Sequence, residues 1–257
     1  FQSRLFGIDD GKIYASMFND YAGWDLDTAT ETNSSNAWIS ALNANTMANG
    51  KLSAIVTYQD RVVVFRENYM YEVRNTRNPF RVSDIFQEGC INWRAALVVG
   101  EKLIFTGRKS VNVYTGSKPV DISRNLNVER FYDAAAGTDG KNYYLYCATD
   151  KKEHSLFVYD NVVGQWSERE IDKKVLSFTA NNNGVYMLCE DNKIYKLDSG
   201  LYDHDWAFET DFYTGDTVNI KHIKKLQMLA DVRAGSKLKV YILYDGEAFD
   251  EEQTECL

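Results

Sequence analysis

Short runs of Val, Ile, Tyr, Phe and Thr recur along the chain between turn signals, and no window of a dozen residues keeps its apolar side chains at helical spacing. This pattern predicts an almost entirely β protein. Turn dipeptides lie where hairpins need them, at Asp10-Gly11, Asp139-Gly140, Asn183-Gly184 and Asp245-Gly246. Such pairs tolerate the positive φ angles of tight turns.

Aligning the most apolar strand of each hairpin uncovers a repeat. Val62-Val63-Val64-Phe65, Leu103-Ile104-Phe105-Thr106, Tyr144-Leu145-Tyr146-Cys147 and Val185-Tyr186-Met187-Leu188 begin 41 residues apart each time. Each is preceded by a strand of smaller apolar residues: Ser53 to Val56, Ala95 to Val98, Ala134 to Gly137 and Leu176 to Thr179. Each is followed by a third strand: Tyr69 to Val73, Val111 to Tyr114, Leu156 to Tyr159 and Ile194 to Leu197. A small inner strand, a bulky middle strand and a third strand recurring every 40 residues or so predict the blades of a β-propeller. Inner strands converge on an axis, which leaves room there only for small side chains. One blade cannot bury both faces of its own sheet, so neighbouring blades are expected to cover one another, with aromatics filling the gaps.

Gly11 to Ser16 reads as the middle strand of one further blade, whose first strand is either Arg4 to Ile8 or lies outside the given sequence. After Ser199-Gly200 the pattern changes to longer strands at Trp206 to Tyr213, His222 to Val232 and Leu238 to Tyr244, followed by an acidic run with Glu247, Asp250, Glu251, Glu252 and Glu255. The predicted organisation is therefore all-β: a propeller-like domain of about five blades over residues 1–200, then a partial β-sandwich over 201–257. The chain starts at Phe1 without an apolar leader and is read as a fragment or processed product.

Composition narrows the function. The net charge is −8, and the longest basic clusters are pairs such as Lys173-Lys174 and Lys224-Lys225, which argues against a reader of nucleic-acid phosphates. The uncharged stretch from Thr32 to Gly50 is too rich in Asn, Ser and Thr to span a bilayer. Cys90, Cys147, Cys189 and Cys256 are far apart, with no C-x-x-C pair and no His nearby, so reduced, packed thiols are expected rather than a zinc site.

Familiar catalytic signatures are missing from the sequence: no G-x-S-x-G elbow, H-E-x-x-H, P-loop or G-x-G-x-x-G after a strand. His154, His204 and His222 have no partners at ligand spacing. Glu168 and Glu170 are the best pair of carboxylates for glycoside hydrolysis, but they alternate along an outer strand and are expected on one exposed face. The repeated Ser-x-Asp-x-Gly-x-Thr-Trp turn of sialidase propellers does not occur. Asp203-His204-Asp205-Trp206 reads as a polar linker before it reads as a cation site, and Asn33-Ser34-Ser35 is a sequon with no secretory context. Tyr71, Tyr114, Tyr159 and Tyr195 fall late in the third strands, a repetition that favours packing. Trp24, Trp38, Trp93, Trp166 and Trp206 do not repeat, which leaves them as candidates for exposed contacts. No catalytic, cofactor-binding or metal-ligating residue is assigned, and the protein is not expected to be an enzyme.

Several stretches resemble the phage tail nozzle, hub and packaged-DNA-stabilisation proteins. They are Arg4-Leu5-Phe6-Gly7 through Gly11 to Ser16 and on to Trp24, Asp60 to Phe65 with Tyr69-Met70-Tyr71, Gly89-Cys90, Gly100 to Phe105, and Val113 to Ser123 with its tyrosine, glycine, proline and isoleucine-serine. The likeness covers roughly Arg4 to Tyr146. It implies a virion structural component, assembled in the bacterial host cytoplasm, that joins other tail or neck proteins as a homo-oligomeric ring around the channel of DNA ejection. Neither catalytic residues nor cofactors come with it. An acidic wall would let DNA slide along such a conduit, although −8 equally serves solubility. The alternative from another class is a carbohydrate-binding propeller that recognises cell-surface glycan through exposed Trp and Tyr.

Overall fold

The computed structural model describes residues 1–9, 11–24, 35–40, 51–74, 80–197 and 239–240. The chain divides into two compact units, Phe1–Leu201 and Tyr202–Leu257. Apart from Lys239 and Val240, the expected sandwich strands lie outside the described residues, as do Asp203 to Trp206, His222, Cys256, the acidic run, the Asp245-Gly246 turn, Asp10 and the Asn33-Ser34 pair.

The first unit is all-β and propeller-like. Among the described residues it contains five antiparallel sheets in chain order, each a simple meander. Blade 1 is β1 (Phe6–Asp9), β2 (Lys12–Ala15) and β3 (Trp38–Ile39). Blade 2 is β4 (Leu52–Tyr58), β5 (Arg61–Arg66), β6 (Met70–Arg74) and β7 (Arg81–Phe86). Blade 3 opens with a single 3₁₀ turn, Trp93–Ala95, and continues as β8 (Ala96–Val99), β9 (Lys102–Thr106), β10 (Val111–Tyr114) and β11 (Val120–Asp121). Blade 4 is β12 (Phe131–Thr138), β13 (Asn142–Thr149), β14 (Ser155–Asp160) and β15 (Gln165–Arg169). Blade 5 is β16 (Val175–Asn181), β17 (Gly184–Cys189) and β18 (Ile194–Lys196). The first strand of each blade packs against that of the next.

The 41-residue spacing survives as true register. Val62, Leu103, Tyr144 and Val185 pair with Thr57, Val98, Gly137 and Ala180 on their respective first strands. Ala54, Ala95 and Ala134 precede the equivalent pairs Ile55 with Val64, Ala96 with Phe105 and Ala135 with Tyr146, and all three alanines are fully buried. Small inner residues are thus what the tapered position requires. Gly137 shows the limit of that taper, because a Cβ there would sit 2.3 Å from Cβ of Phe178 on the next blade. The hairpin turns behave as their residues dictate, with Gly11, Gly140 and Gly184 all at positive φ.

Two features depart from the sequence pattern. Blades 2, 3 and 4 each gain a fourth, outer strand in β7, β11 and β15, of which only β15 was legible; an edge strand is half solvated and shows a weak apolar signal. Moreover, Tyr71, Tyr114, Tyr159 and Tyr195 do not occupy one repeated position. They face Val64, Leu103, Tyr143 and Met187, at different distances along their middle strands. Packing nevertheless claims the first three, which are buried.

Aromatic rings with hydrogen-bonded tips join the blades. Phe65 and Phe105 meet with ring centroids 4.7 Å apart between blades 2 and 3, a contact worth about 0.5–1.5 kcal/mol beyond the area it buries. Tyr58 rests on Tyr114 and donates to the Glu101 carbonyl at 2.8 Å. Tyr143, fully buried in blade 4, donates to the Ala95 carbonyl at 3.3 Å and shares a 3.0 Å hydrogen bond with the Thr106 hydroxyl. Trp166 packs on Tyr159 and donates from Nε1 to the Ile122 carbonyl at 2.7 Å. Phe80 brings together Phe6 and Trp38 of blade 1 and its own blade 2.

The linker from blade 2 to blade 3 is strapped to both. Cys90 N–H donates to the Arg66 carbonyl at 2.9 Å, and Ile91 N–H to the Thr106 carbonyl at 3.0 Å. So close is this passage that a Cβ on Gly89 would lie 2.2 Å from backbone atoms of Glu67, whereas Gly7 has nothing within 4 Å. Overpacking against immovable backbone costs about 1–3 kcal/mol or more. Gly89→Ala should therefore lower the thermal midpoint by roughly 5 °C or more, with Gly7→Ala leaving it nearly unchanged; calorimetry showing equal midpoints for the two variants would refute the strap.

Candidate functional site

Glu168 and Glu170 are both exposed, but only Glu168 lies on β15, which ends at Arg169, so the two do not alternate along that strand; Glu168 accepts from Lys152 Nζ at 2.7 Å. His154 shares a 2.8 Å hydrogen bond between its Nδ1 and the Tyr146 hydroxyl, which makes it a packing group. Cys90, Cys147 and Cys189 are free and buried, and burial pushes the Cys90 and Cys147 thiols up to about 12, far from a reactive thiolate. Among the described residues no group of three or more His, Cys, Asp or Glu could hold a metal ion, and no helix is long and apolar enough to cross a membrane.

The tryptophans separate cleanly. Trp38 and Trp166 are packing residues of blades 1 and 4. Trp24 is 38% exposed beside an open cleft of about 260 Å3 also lined by Gly7, Asp9 and Tyr14. Trp93 is 71% exposed. A second cleft of about 310 Å3 lies between blades 4 and 5, with Asp139, Tyr144 and Lys196 in its wall. The Asp139 carboxylate there already accepts from two backbone N–H groups, the Asn142 amide and the Tyr144 hydroxyl.

The one buried carboxylate among the described residues lies between blades 2 and 3. Glu72, on β6, is 1% exposed and accepts from Arg61 Nη1 at 3.1 Å, from Arg74 Nε and from the Tyr114 hydroxyl on β10. Burial alone would raise the carboxyl pKa; the hydrogen bonds from Arg74, Tyr114 and Arg61 outweigh it and hold Glu72 below the usual range. Burial and the Glu72 carboxylate push Tyr114 up to about 12. Sequence reasoning passed over this cluster. Its one visible trace was a lone Glu in an apolar strand with an Arg two residues on, on the same face.

A more open constellation forms where the first strands of blades 3, 4 and 5 begin. The 3₁₀ turn carrying Trp93 is fixed by Asn92, whose Oδ1 accepts from Arg94 N–H at 2.8 Å while its Nδ2 donates to the Ala134 carbonyl at 2.8 Å. The Arg94 guanidinium lies 5.9 Å from the Trp93 ring centroid. It reaches Asp133 Oδ1 at 3.4 Å and the Leu176 carbonyl on blade 5 at 3.0 Å. Asp133 also pairs with Lys174. It sits at φ 43°, where β12 bulges away from β13, an arrangement that re-aims side chains at a strand end. Tyr132, beside it, is exposed. Apart from Asp133 and Asp9, the first strands of the five blades carry no acidic residue, so they do not form an acidic lining.

Neither a family model nor a curated protein matches the chain. Solved structures similar to it include the computationally designed Ika4 protein, with 14% identity and a TM-score of 0.42 over 58% of this chain and 93% of that one. The N-terminal domain of Nup159 has 13% identity and a TM-score of 0.42, and 78% of this chain covers about half of it, 53%. BamB from Moraxella catarrhalis has 11% identity and a TM-score of 0.24 over 78% of this chain and 81% of that one. None of these likenesses carries a functional inference.

The Glu72 cluster makes a signed prediction. Its native pKa lies below the ordinary value of 4.5, so the stabilisation from ionised Glu72 is full above that value and is lost as pH falls through the depressed native one. Glu72→Gln should cost about 1–3 kcal/mol at neutral pH, because the amide accepts less strongly than the carboxylate from Arg61, Arg74 and Tyr114, and its deficit against the wild type should shrink on acidification through the carboxylate range. Urea unfolding across that range measures the gap; a deficit that stays constant would mean that Glu72 is not ionised in the folded state.

Proposed function

We propose that the chain is a structural component of a tailed-phage or prophage-derived particle, forming part of a symmetric ring around the DNA exit channel at the neck or tail. The observation that carries it is the use made of the chemistry-bearing side chains. Glu72, Arg61 and Tyr114 close one blade interface, Thr106 and Tyr143 close the same blade's other side, and the thiols are sealed in the core. Polar groups arranged in this way stiffen a wall element. The residue pattern from Arg4 to Tyr146, which resembles the tail nozzle and hub proteins, supplies the particular assembly. Such a protein works by holding shape under load, and a stack of mutually covering sheets suits that task because no blade can shift without uncovering its neighbours.

Mass spectrometry of purified particles from an induced lysate of the source, quantified against the major capsid protein, tests this directly. A fixed low copy number in intact particles is the expected result. Free protein in the lysate with none in particles would overturn the virion assignment.

A further inference from the structure

We infer that the surface carrying Trp93, Arg94, Asp133 and Lys174 is a saccharide-binding site, with the Trp93 ring as the platform on which a pyranose stacks. A tryptophan exposed to 71% discards the burial that ordinarily places this residue inside, yet its backbone is not loose. The Asn92 cap holds the 3₁₀ turn to blade 4, and Arg94 holds it to blade 5, so the ring is presented from a rigid base. A preorganised platform loses little entropy when a ligand settles on it.

The groups around the ring decide which ligand fits. A protein partner would be met by an interface core depleted of charge. Here the tryptophan borders Arg94, which leads directly to Asp133 and Lys174, and all three remain partly exposed. A single nucleic-acid strand would also stack on Trp93, but it needs unneutralised cations along its phosphates. Arg94 and Lys174 share the single carboxylate of Asp133, which leaves one net positive charge there, and Arg108, which follows the same blade's middle strand, forms a two-pronged pair with Glu67, so the surface offers no row of free cations to track a phosphate backbone. One aromatic face with a fixed guanidinium, ammonium and carboxylate beside it suits a polyhydroxylated ligand, whose ring C–H groups lie on the indole while its hydroxyls bridge those charged groups. The bulge that turns Asp133 out of β12 places that carboxylate among the donors.

The test is saturation-transfer NMR and tryptophan-fluorescence titration of the full chain with maltohexaose, cellohexaose, chitohexaose and delipidated bacterial O-polysaccharide, with oligo-dT as the competing ligand. At least one saccharide should bind saturably, Trp93→Ala should weaken it roughly tenfold or more, and Trp24→Ala should leave it unchanged. Because Trp93 is exposed, the thermal midpoint of Trp93→Ala should match the wild type, which separates lost contact from lost fold. A second variant, Asp133→Asn, should weaken binding while the stacking signal persists at higher ligand concentration. No saturable binding by any of the four saccharides, or binding indifferent to Trp93→Ala, would overturn the assignment. Oligo-dT binding that depends on Trp93 in place of saccharide binding would give the platform to bases instead. Either failure leaves the virion reading standing, since a wall protein needs no glycan.

Discussion

Everything in the described part of this protein follows from one constraint: a four-stranded sheet has two faces and can cover neither by itself. The chain meets it by repeating the sheet at a fixed interval and laying each copy against the next. That arrangement puts the stability of each blade in its neighbours, and it explains where the large side chains go. Phe65 meets Phe105, Tyr58 meets Tyr114, and Tyr143 reaches back into blade 3, so an aromatic that belongs to one sheet by sequence belongs to two by packing. Tyrosine suits this role better than phenylalanine wherever the ring ends at another blade's backbone, because its hydroxyl satisfies a carbonyl that burial would otherwise leave orphaned.

The same constraint accounts for Glu72. A buried carboxylate is costly unless surrounded by donors, and here the donors come from both sides of the seam, two arginines from its own sheet and a tyrosine from the next. An apolar residue would fill the space equally well. What the charged cluster adds across the seam is the Tyr114 hydrogen bond, which ties β10 of blade 3 to a carboxylate that the arginines hold on blade 2.

How much of this was legible depends on what kind of signal each feature leaves in the chain. The middle strands were, because consecutive buried residues such as Val62 to Phe65 and Leu103 to Thr106 leave an unbroken apolar run, and their interval is countable. Inner strands were legible through the small residues that taper demands, with Ala134 to Gly137 the clearest case. Outer strands such as β11, two residues long, carry no such signature. The Trp93 surface was only partly visible. That Trp93 fails to repeat could be seen in one dimension, but its junction with Asp133 and Lys174 is made by the convergence of three blades, and no spacing rule brings positions 93, 133 and 174 together. The Glu72 cluster left only the trace of a lone Glu with Arg74 two residues on, since Tyr114 lies on a different sheet.

The three sealed thiols have a consequence for the life of the molecule outside a reducing compartment. Cys90, Cys147 and Cys189 belong to three successive repeats, one in the linker entering blade 3 and the others in the middle strands of blades 4 and 5. While the stack is closed, oxidants find no thiolate to attack. Once a repeat opens, its sulfur becomes available for mixed disulfides or crosslinks that the closed geometry has no room for. Opening that would be reversible under reducing conditions thereby becomes a one-way door, and the lifetime of the fold in air is governed by how seldom its sheets breathe.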